Sequence, residues 1–157
     1  PVDQRPIEGR DDLAIYTSAP LDAPLTLAGP LSATLTVSAD VTDADLVARL
    51  TEVAPDGTSL LIQEGALRLR YREGYDAPRL LEAGAPVTVT VEMRDVAWEA
   101  PAGHRLRLHV AASSFPRLAR NLQGGGDPNR ETQAVAGRLT LHSGGSHAGH
   151  LSLTTLP

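Results

Sequence analysis

The chain is dominated by a regular alternation of apolar and polar residues. In LSATLTVSAD (residues 31–40), apolar residues occupy every second position, and Ser or Thr fills most of the positions between them. VTVTVEMR (residues 87–94) and HRLRLHVAA (residues 104–112) repeat this pattern. Because side chains alternate between the two faces of a β-strand, each stretch predicts a strand with one buried face. The residues expected inside include Leu35, Val37, Val89, Val91, Leu106, Leu108 and Val110.

Shorter segments complete an all-β pattern. Strands are predicted around residues 13–17, 46–53, 59–63, 137–142 and 150–155, and GALRLRYR (residues 65–72) is compatible with a strand or with one helical turn. The alternation changes phase near Asp95, which predicts a β-bulge there. Pro- and Gly-containing turns separate these segments. No segment shows a sustained hydrophobic period of 3.6 residues, as a helix would. About eight strands without a covering helix favour one antiparallel β-sandwich over residues 1–157, with a jelly-roll topology that hides its edges.

Composition narrows the function classes. The 157 residues are 41% hydrophobic, which is enough for one core, and the absence of cysteine excludes disulfides, a thiol nucleophile and thiolate metal sites. A net charge of -5 without a basic run argues against nucleic-acid binding. No apolar run is long enough for a membrane helix, and the first residues lack the pattern of a signal peptide. The missing initiator Met suggests a piece of a longer protein; the compartment stays open, with the bacterial cytoplasm as the expectation.

Residues for catalysis or metal binding are sparse. The nearest match to a nucleophile elbow is GGSHA around Ser146, but its last position departs from G-x-S-x-G and a strand is predicted after it where an elbow needs a helix. We therefore expect no catalytic residue in the chain. His142, His147 and His150 could in principle bind a metal, yet they lie in a glycine-rich hairpin without a nearby carboxylate, so solvated histidines are favoured. Neither a metal nor another cofactor is expected.

Two charged stretches leave alternatives open. DVTDAD (residues 40–45) could supply oxygen ligands to calcium, but it lacks the glycine and distal glutamate of an EF-hand loop, which favours a polar turn. Arg68, Arg70 and Arg72 would share one face of an extended segment. They would then form either a solvated outer face or a patch for an anionic ligand or acidic partner.

The segment SSFPRLARN (residues 113–121) contains the only phenylalanine of the chain. It follows a predicted strand, and strand-end loops commonly carry recognition residues. The interface candidates are Phe115, Pro116, Arg117, Arg120 and Asn121, since Phe and Arg are enriched at protein interfaces. The alternative is structural: Phe115 closes one end of the sandwich, Arg117 is solvated and Asn121 makes a turn hydrogen bond.

Several stretches together resemble a known family. YTSAPL (residues 16–21), ARLTEVAPDGTS (residues 48–59), GALRLRYR, and AGHRLRLHVAASSFPR (residues 102–117) followed by RN resemble, in this order, the carboxy-terminal domain of X-Pro dipeptidyl-peptidases and CocE/NonD hydrolases. The resemblance implies a galactose-binding-like jelly roll attached to an α/β-hydrolase domain that carries the serine triad. No triad residue maps onto this chain. The chain departs from the family pattern at Ala100, Leu118 and Ala119, where relatives often have other residue types.

The resemblance implies a non-catalytic domain that packs on the catalytic domain of its parent chain and supports it. A second copy of the chain is a further candidate partner. The parent reaction would be hydrolysis of an ester or of an X-Pro peptide bond through an acyl-serine. The alternative from another class is a free-standing carbohydrate-binding module, but such modules usually read sugars with exposed aromatic residues, which make up only 3% of this chain.

Overall fold

The computed structural model describes residues 2–156. Within them lie eight β-strands, one short α-helix and two single turns of 3₁₀ helix. The strands are β1 (Leu13–Thr17), β2 (Leu25–Ala39), β3 (Asp45–Val53), β4 (Ser59–Arg68), β5 (Val87–Ala100), β6 (Arg105–Ala111), β7 (Leu139–His142) and β8 (His150–Thr155). The helix α1 spans Arg5–Glu8, and the 3₁₀ turns span Leu69–Tyr71 and Gly145–His147. No helix in residues 2–156 has the length and apolar character needed to cross a membrane.

The strands form two antiparallel sheets. Sheet A has the order β1-β6-β3-β4, and sheet B has the order β5-β2-β7, with β8 also paired to β2. The strands β7 and β8 follow one another along the same side of β2, because β7 pairs with its last four residues and β8 with residues further upstream. The predicted all-β sandwich is therefore confirmed, and its jelly-roll connectivity stays a prediction.

The alternating pattern sets which side chains form the core. All seven residues expected inside are buried, and they belong to one cluster between the two sheets. The predicted bulge is also present: Gly29 pairs with Val96 and Leu31 pairs with Met93, so that one residue of β2 lies opposite two residues of β5. This extra residue in β5 explains the phase change near Asp95.

Two contacts between the sheets limit how they can move. The side chain of Glu52 points inward from β3, accepts a hydrogen bond from Trp98 Nε1 at 2.5 Å and lies 2.5 Å from His104 Nδ1. At Gly65 of β4 the sheets come so close that an added Cβ would lie 2.2 Å from the backbone oxygen of Glu92. Glycine is required there by proximity between the sheets.

The segment before β1 crosses the outer face of sheet A. Asp3 forms an isolated bridge with Leu60, and the backbone N–H of Gln4 donates to the carbonyl of Ser59 at 2.7 Å. The short helix α1 then brings Glu8 over β6, where its carboxylate contacts Arg107 and His109. The amino-terminal segment is therefore part of the sandwich structure, although the sequence pattern predicted no element there.

Candidate functional site

The loop that follows β6 presents its aromatic residue to solvent. Phe115 is 66% exposed, and Pro116 and Arg117 beside it are also exposed. Ser114 is buried, and its carbonyl accepts a hydrogen bond from the backbone N–H of Leu118 at 2.9 Å. A side chain with this exposure cannot close the end of the sandwich, so the structural alternative for Phe115 is wrong.

A buried carboxylate lies beneath this loop. Glu64 of β4 faces Arg49 of β3 directly across the sheet, and its carboxylate binds Nε of Arg49 and Nη1 of Arg117. The Ser114 hydroxyl lies 3.2 Å from both Glu64 oxygens and accepts a hydrogen bond from Arg49 Nη2 at 2.8 Å. Burial, with a smaller contribution from Arg10, lowers the pKa of Arg49. Because its guanidinium binds the buried Glu64 carboxylate, Arg117 is held against the sandwich although 57% of its side chain is exposed.

Phe115 and Arg117 border a shallow cavity of about 290 Å³ on the outer face of sheet A. Its apolar wall comes partly from the amino-terminal segment, through Val2 and Ile7, and partly from Leu61 of β4. We call the surface formed by Val2, Ile7, Leu61, Phe115 and Arg117 the Phe115 face. It combines exposed apolar groups with a guanidinium whose position is set by buried partners.

The last interface candidate of the loop, Asn121, differs from the other four. Arg120 is exposed, but Asn121 is partly buried, and its Nδ2 donates to Asp43 Oδ2 and to Asp45 Oδ1, both at 2.9 Å. Asn121 therefore anchors the loop to the start of β3. The turn hydrogen bond expected of Asn121 also exists, because its Oδ1 accepts from the backbone N–H of Gln123 at 2.9 Å.

The arginines of GALRLRYR hold this anchor in place. Arg70 Nε donates to Asp43 Oδ2 at 2.7 Å, and both side chains are almost fully buried. Arg68 Nε donates to Asp45 Oδ1 at 2.9 Å, and this hydrogen bond raises the pKa of Arg68. Of the two structures left open for GALRLRYR, the helical turn is present at Leu69–Tyr71, directly after β4 ends at Arg68. Arg68, Arg70 and Arg72 therefore do not share one extended face, and Arg70 is buried.

A second charged cluster fastens the amino-terminal segment to the sheet. The Glu8 carboxylate accepts a hydrogen bond from Arg107 Nη1 at 2.5 Å, and its other oxygen lies 3.1 Å from His109 Nε2. His109 is buried, and among the described residues its Nδ1 has no hydrogen-bond partner. Burial lowers the pKa of His109, and the attraction of Glu8 opposes this shift. The lowered pKa favours the neutral form of this imidazole.

The remaining sequence candidates lie apart from these clusters. Ser146 is exposed in the 3₁₀ turn between β7 and β8, which is not the strand-to-helix turn of a nucleophile elbow. His142 Nε2 lies 2.8 Å from the Ser38 hydroxyl, and its ring centroid is 5.5 Å from that of His147. Within residues 2–156 there is no group of three or more His, Asp or Glu side chains arranged to hold a metal ion.

Sequence reasoning missed the groups that position the loop. Arg49 interrupts the apolar run LVARL (residues 46–50), which is a signal of a charge that needs a buried partner, whereas Glu64, between Gln63 and Gly65, gives no such signal. Val2 and Ile7 could not be connected with Phe115, since more than a hundred residues separate them in the chain.

The geometry defines a β-sandwich domain whose main charged clusters fix a loop and a terminal segment. Comparison with known proteins agrees: residues 2–152 match the family described as the X-Pro dipeptidyl-peptidase C-terminal non-catalytic domain, and the chain belongs to this family. The cocaine esterase of Rhodococcus sp. (strain MB1 Bresler) is 37% identical over 155 residues, which cover 98% of the chain and 27% of the esterase.

Solved structures give the same result. An α-amino acid ester hydrolase superposes with a TM-score of 0.87 at 25% identity, over 98% of this chain and 27% of the hydrolase. An aminopeptidase from a marine sediment Thaumarchaeota archaeon superposes with a TM-score of 0.85 over 99% of this chain and 27% of the aminopeptidase; at 22% identity it supports the fold alone. The chain thus spans about a quarter of the length of these relatives, as a non-catalytic domain of larger hydrolases does.

Proposed function

We propose that this domain packs against an α/β-hydrolase catalytic domain of its parent chain and supports it, with the Phe115 face as the contact surface. The catalytic domain would carry the serine nucleophile and hydrolyse an ester or an X-Pro peptide bond. The observation that carries the proposal is the 66% exposure of Phe115 beside an arginine that buried groups already hold in position.

The physical chemistry of the Phe115 face favours a protein partner. Aromatic residues and arginine contribute most to interface free energy when they lie at the centre of a contact. Because Glu64 already binds Arg117 within the domain, this side chain loses less conformational entropy when a partner binds. Val2 is 67% exposed at the same cavity, so the apolar area extends beyond one residue.

The path of the chain supports the same surface. In this family the domain is carboxy-terminal, so a catalytic domain in the parent would precede Val2. Val2 lines the cavity that Phe115 and Arg117 also line. The connection to the catalytic domain would therefore leave from the Phe115 face, where the two domains must come close together.

The test is Phe115→Ala in the parent hydrolase. Loss of an interface anchor should destabilise the contact between the domains by about 2 kcal/mol, which a lower melting temperature of the parent would report. Tyr75→Ala is the matched control, since Tyr75 is an aromatic residue that is 83% exposed and does not line the cavity beside Phe115. If both variants melt together with the unmodified parent, the Phe115 face is not the contact surface.

The melting temperature of an Arg117 variant must be interpreted differently from that of Phe115→Ala. Arg117→Ala also removes one partner of the buried Glu64 carboxylate, so it should weaken the domain as well as any contact. Arg117→Lys keeps the charge but removes the planar guanidinium, and it separates these effects. Destabilisation of the parent by Arg117→Lys without destabilisation of the domain alone would support docking.

A further inference from the structure

On the β1 side of the sandwich the two sheets lie apart. Two cavities, of about 570 Å³ and 500 Å³, lie between β1 and β6 of sheet A on one side and the β7–β8 edge of sheet B on the other. They share Leu141, so they form one elongated depression that follows β1 from Leu13 to Thr17, which we call the β1 trough. Protein interiors are normally close-packed, so an opening of this size between two sheets needs an explanation.

The floor of the trough is apolar in its larger cavity. The larger cavity is lined by Leu35, Leu106, Leu108, Leu141, Leu151 and Leu153, and none of its lining residues is Asp, Glu, Lys or Arg. Tyr16 lies opposite Leu108 in the β1–β6 pairing, so its side chain is on the inner face of sheet A, yet it is 46% exposed. An inward-facing aromatic residue with this exposure indicates that a covering element is missing.

Strand β1 also has an unpaired edge. It pairs only with β6, and no strand among the described residues lies on its other side. The backbone N–H of Ser18 donates to Leu106 of β6 at 2.9 Å. Because successive amides of a strand point in opposite directions, the amides of Ile15 and Thr17 face the open edge. Natural proteins rarely leave such an edge uncovered beside an apolar surface.

We propose that an extended apolar segment of the parent chain occupies the β1 trough and adds to sheet A as a strand beside β1. This inference rests on the proposed function, since it requires a larger parent chain, but it concerns a surface separate from the Phe115 face. The segment would place alternate side chains on the leucine floor and direct its backbone groups to the open edge of β1.

The shape of the trough selects this occupant. A strand paired with the five residues of β1 spans about 17 Å, and the trough follows β1 over this whole length. A compact apolar ligand would fill one cavity and leave the open edge of β1 unpaired. The larger cavity has no Asp, Glu, Lys or Arg side chain, which fits an apolar stretch of the segment. Asp11, Asp12 and Arg138 line the smaller cavity, so the other end of the segment would carry polar side chains.

The parent chain is the natural source of this segment. The chain spans 27% of the length of its cocaine esterase relative, so a parent of similar size has most of its residues outside the described domain. A segment of the same chain is held near the trough at a high effective concentration, so even a weak interaction would keep it bound there.

Hydrogen exchange in the full parent hydrolase tests the proposal without any mutation. The amides of Ile15 and Thr17 should exchange at least about 100-fold more slowly than unstructured amides, as those of Tyr16 and Ser18 should through their pairing with β6. If Ile15 and Thr17 exchange freely while Tyr16 and Ser18 are protected, no strand lies beside β1 and the proposal is overturned. This result would hold even if a globular surface shielded the Tyr16 ring.

A pair of variants gives a second readout in the parent. Tyr16→Asp places a charge in the trough and should lower the melting temperature, whereas Thr140→Asp places the same charge on the exposed outer face of β7 and should change it little. Equal effects would contradict an occupied trough. If the Ile15 and Thr17 amides are protected while hydroxyl radicals oxidise Phe115 freely, this inference stands and the docking surface is refuted. If the amides exchange freely while Phe115 is protected from oxidation, the docking surface stands and this inference is refuted.

Discussion

Removing the Asp43 carboxylate should cost the domain about 3–5 kcal/mol, the usual consequence of leaving one partner of a buried ion pair alone. Asp43 is fully buried, and the side chain of Arg70 is 7% exposed. The carboxylate accepts three hydrogen bonds, from the Arg70 backbone at 3.1 Å, from Arg70 Nε at 2.7 Å and from Asn121 Nδ2 at 2.9 Å. In Asp43→Ala the Arg70 charge remains buried without its carboxylate partner and keeps only the hydrogen bond to the Gly126 carbonyl, while Nδ2 of Asn121 keeps only Asp45.

The assay is denaturant and thermal unfolding of the domain. At about 2–4 °C per kcal/mol for a domain of this size, Asp43→Ala should lower the melting temperature by roughly 6–20 °C. Asp12→Ala is the matched control because it removes a carboxylate from the exposed pair with Arg10, where the loss should stay below about 1 kcal/mol. If the two variants unfold within 1 kcal/mol of each other, the reasoning that the buried pair anchors the loop is refuted.

Two further predictions concern single positions. Burial lowers the pKa of His109 below its usual value of 6.5. Below pH 6.5 the unfolded chain therefore binds a proton that the folded domain does not bind. The free energy of unfolding should consequently fall as the pH is lowered from 7 to 5. His109→Gln should flatten this dependence, and an unchanged slope in urea titrations would contradict it. Gly65→Ala should destabilise the domain by about 3 kcal/mol or more, because the new Cβ would lie 2.2 Å from the backbone oxygen of Glu92. The control Gly9→Ala should be tolerated, because its Cβ would have no atom within 4 Å. Equal unfolding midpoints for the two variants would refute the close approach of the sheets at Gly65.

The fold could be predicted from the sequence because its strands are long and half-buried. A two-residue alternation such as that of β2 specifies a face as well as an element, so the buried residues and the bulge near Asp95 were predictable from local pattern alone. The alternation could not decide between a strand and a helical turn at Arg70, where the pattern continues but the chain enters a 3₁₀ turn. What turns Arg70 inward is Asp43, 27 residues away in sequence, and no local pattern reports that pairing.

The candidate site was predictable only in part. The segment SSFPRLARN is distinctive as a sequence, yet its residues divide between two roles that the sequence does not separate. Phe115 is exposed because the chain leaves the sheet after Ala111, whereas Asn121 hydrogen-bonds to the carboxylates of Asp43 and Asp45 at the start of β3. The β1 trough was not predictable, since it depends on where the edges of two different sheets lie.

Hydroxyl-radical footprinting of the intact parent hydrolase tests the proposed docking surface most directly. The oxidation rate of the Phe115 side chain is compared with that of Tyr75, because both are exposed in this domain, at 66% and 83%. Docking of a catalytic domain on the Phe115 face predicts that Phe115 is strongly protected while Tyr75 stays reactive. Oxidation of Phe115 at the rate expected for its exposure in the domain alone would contradict docking at this face.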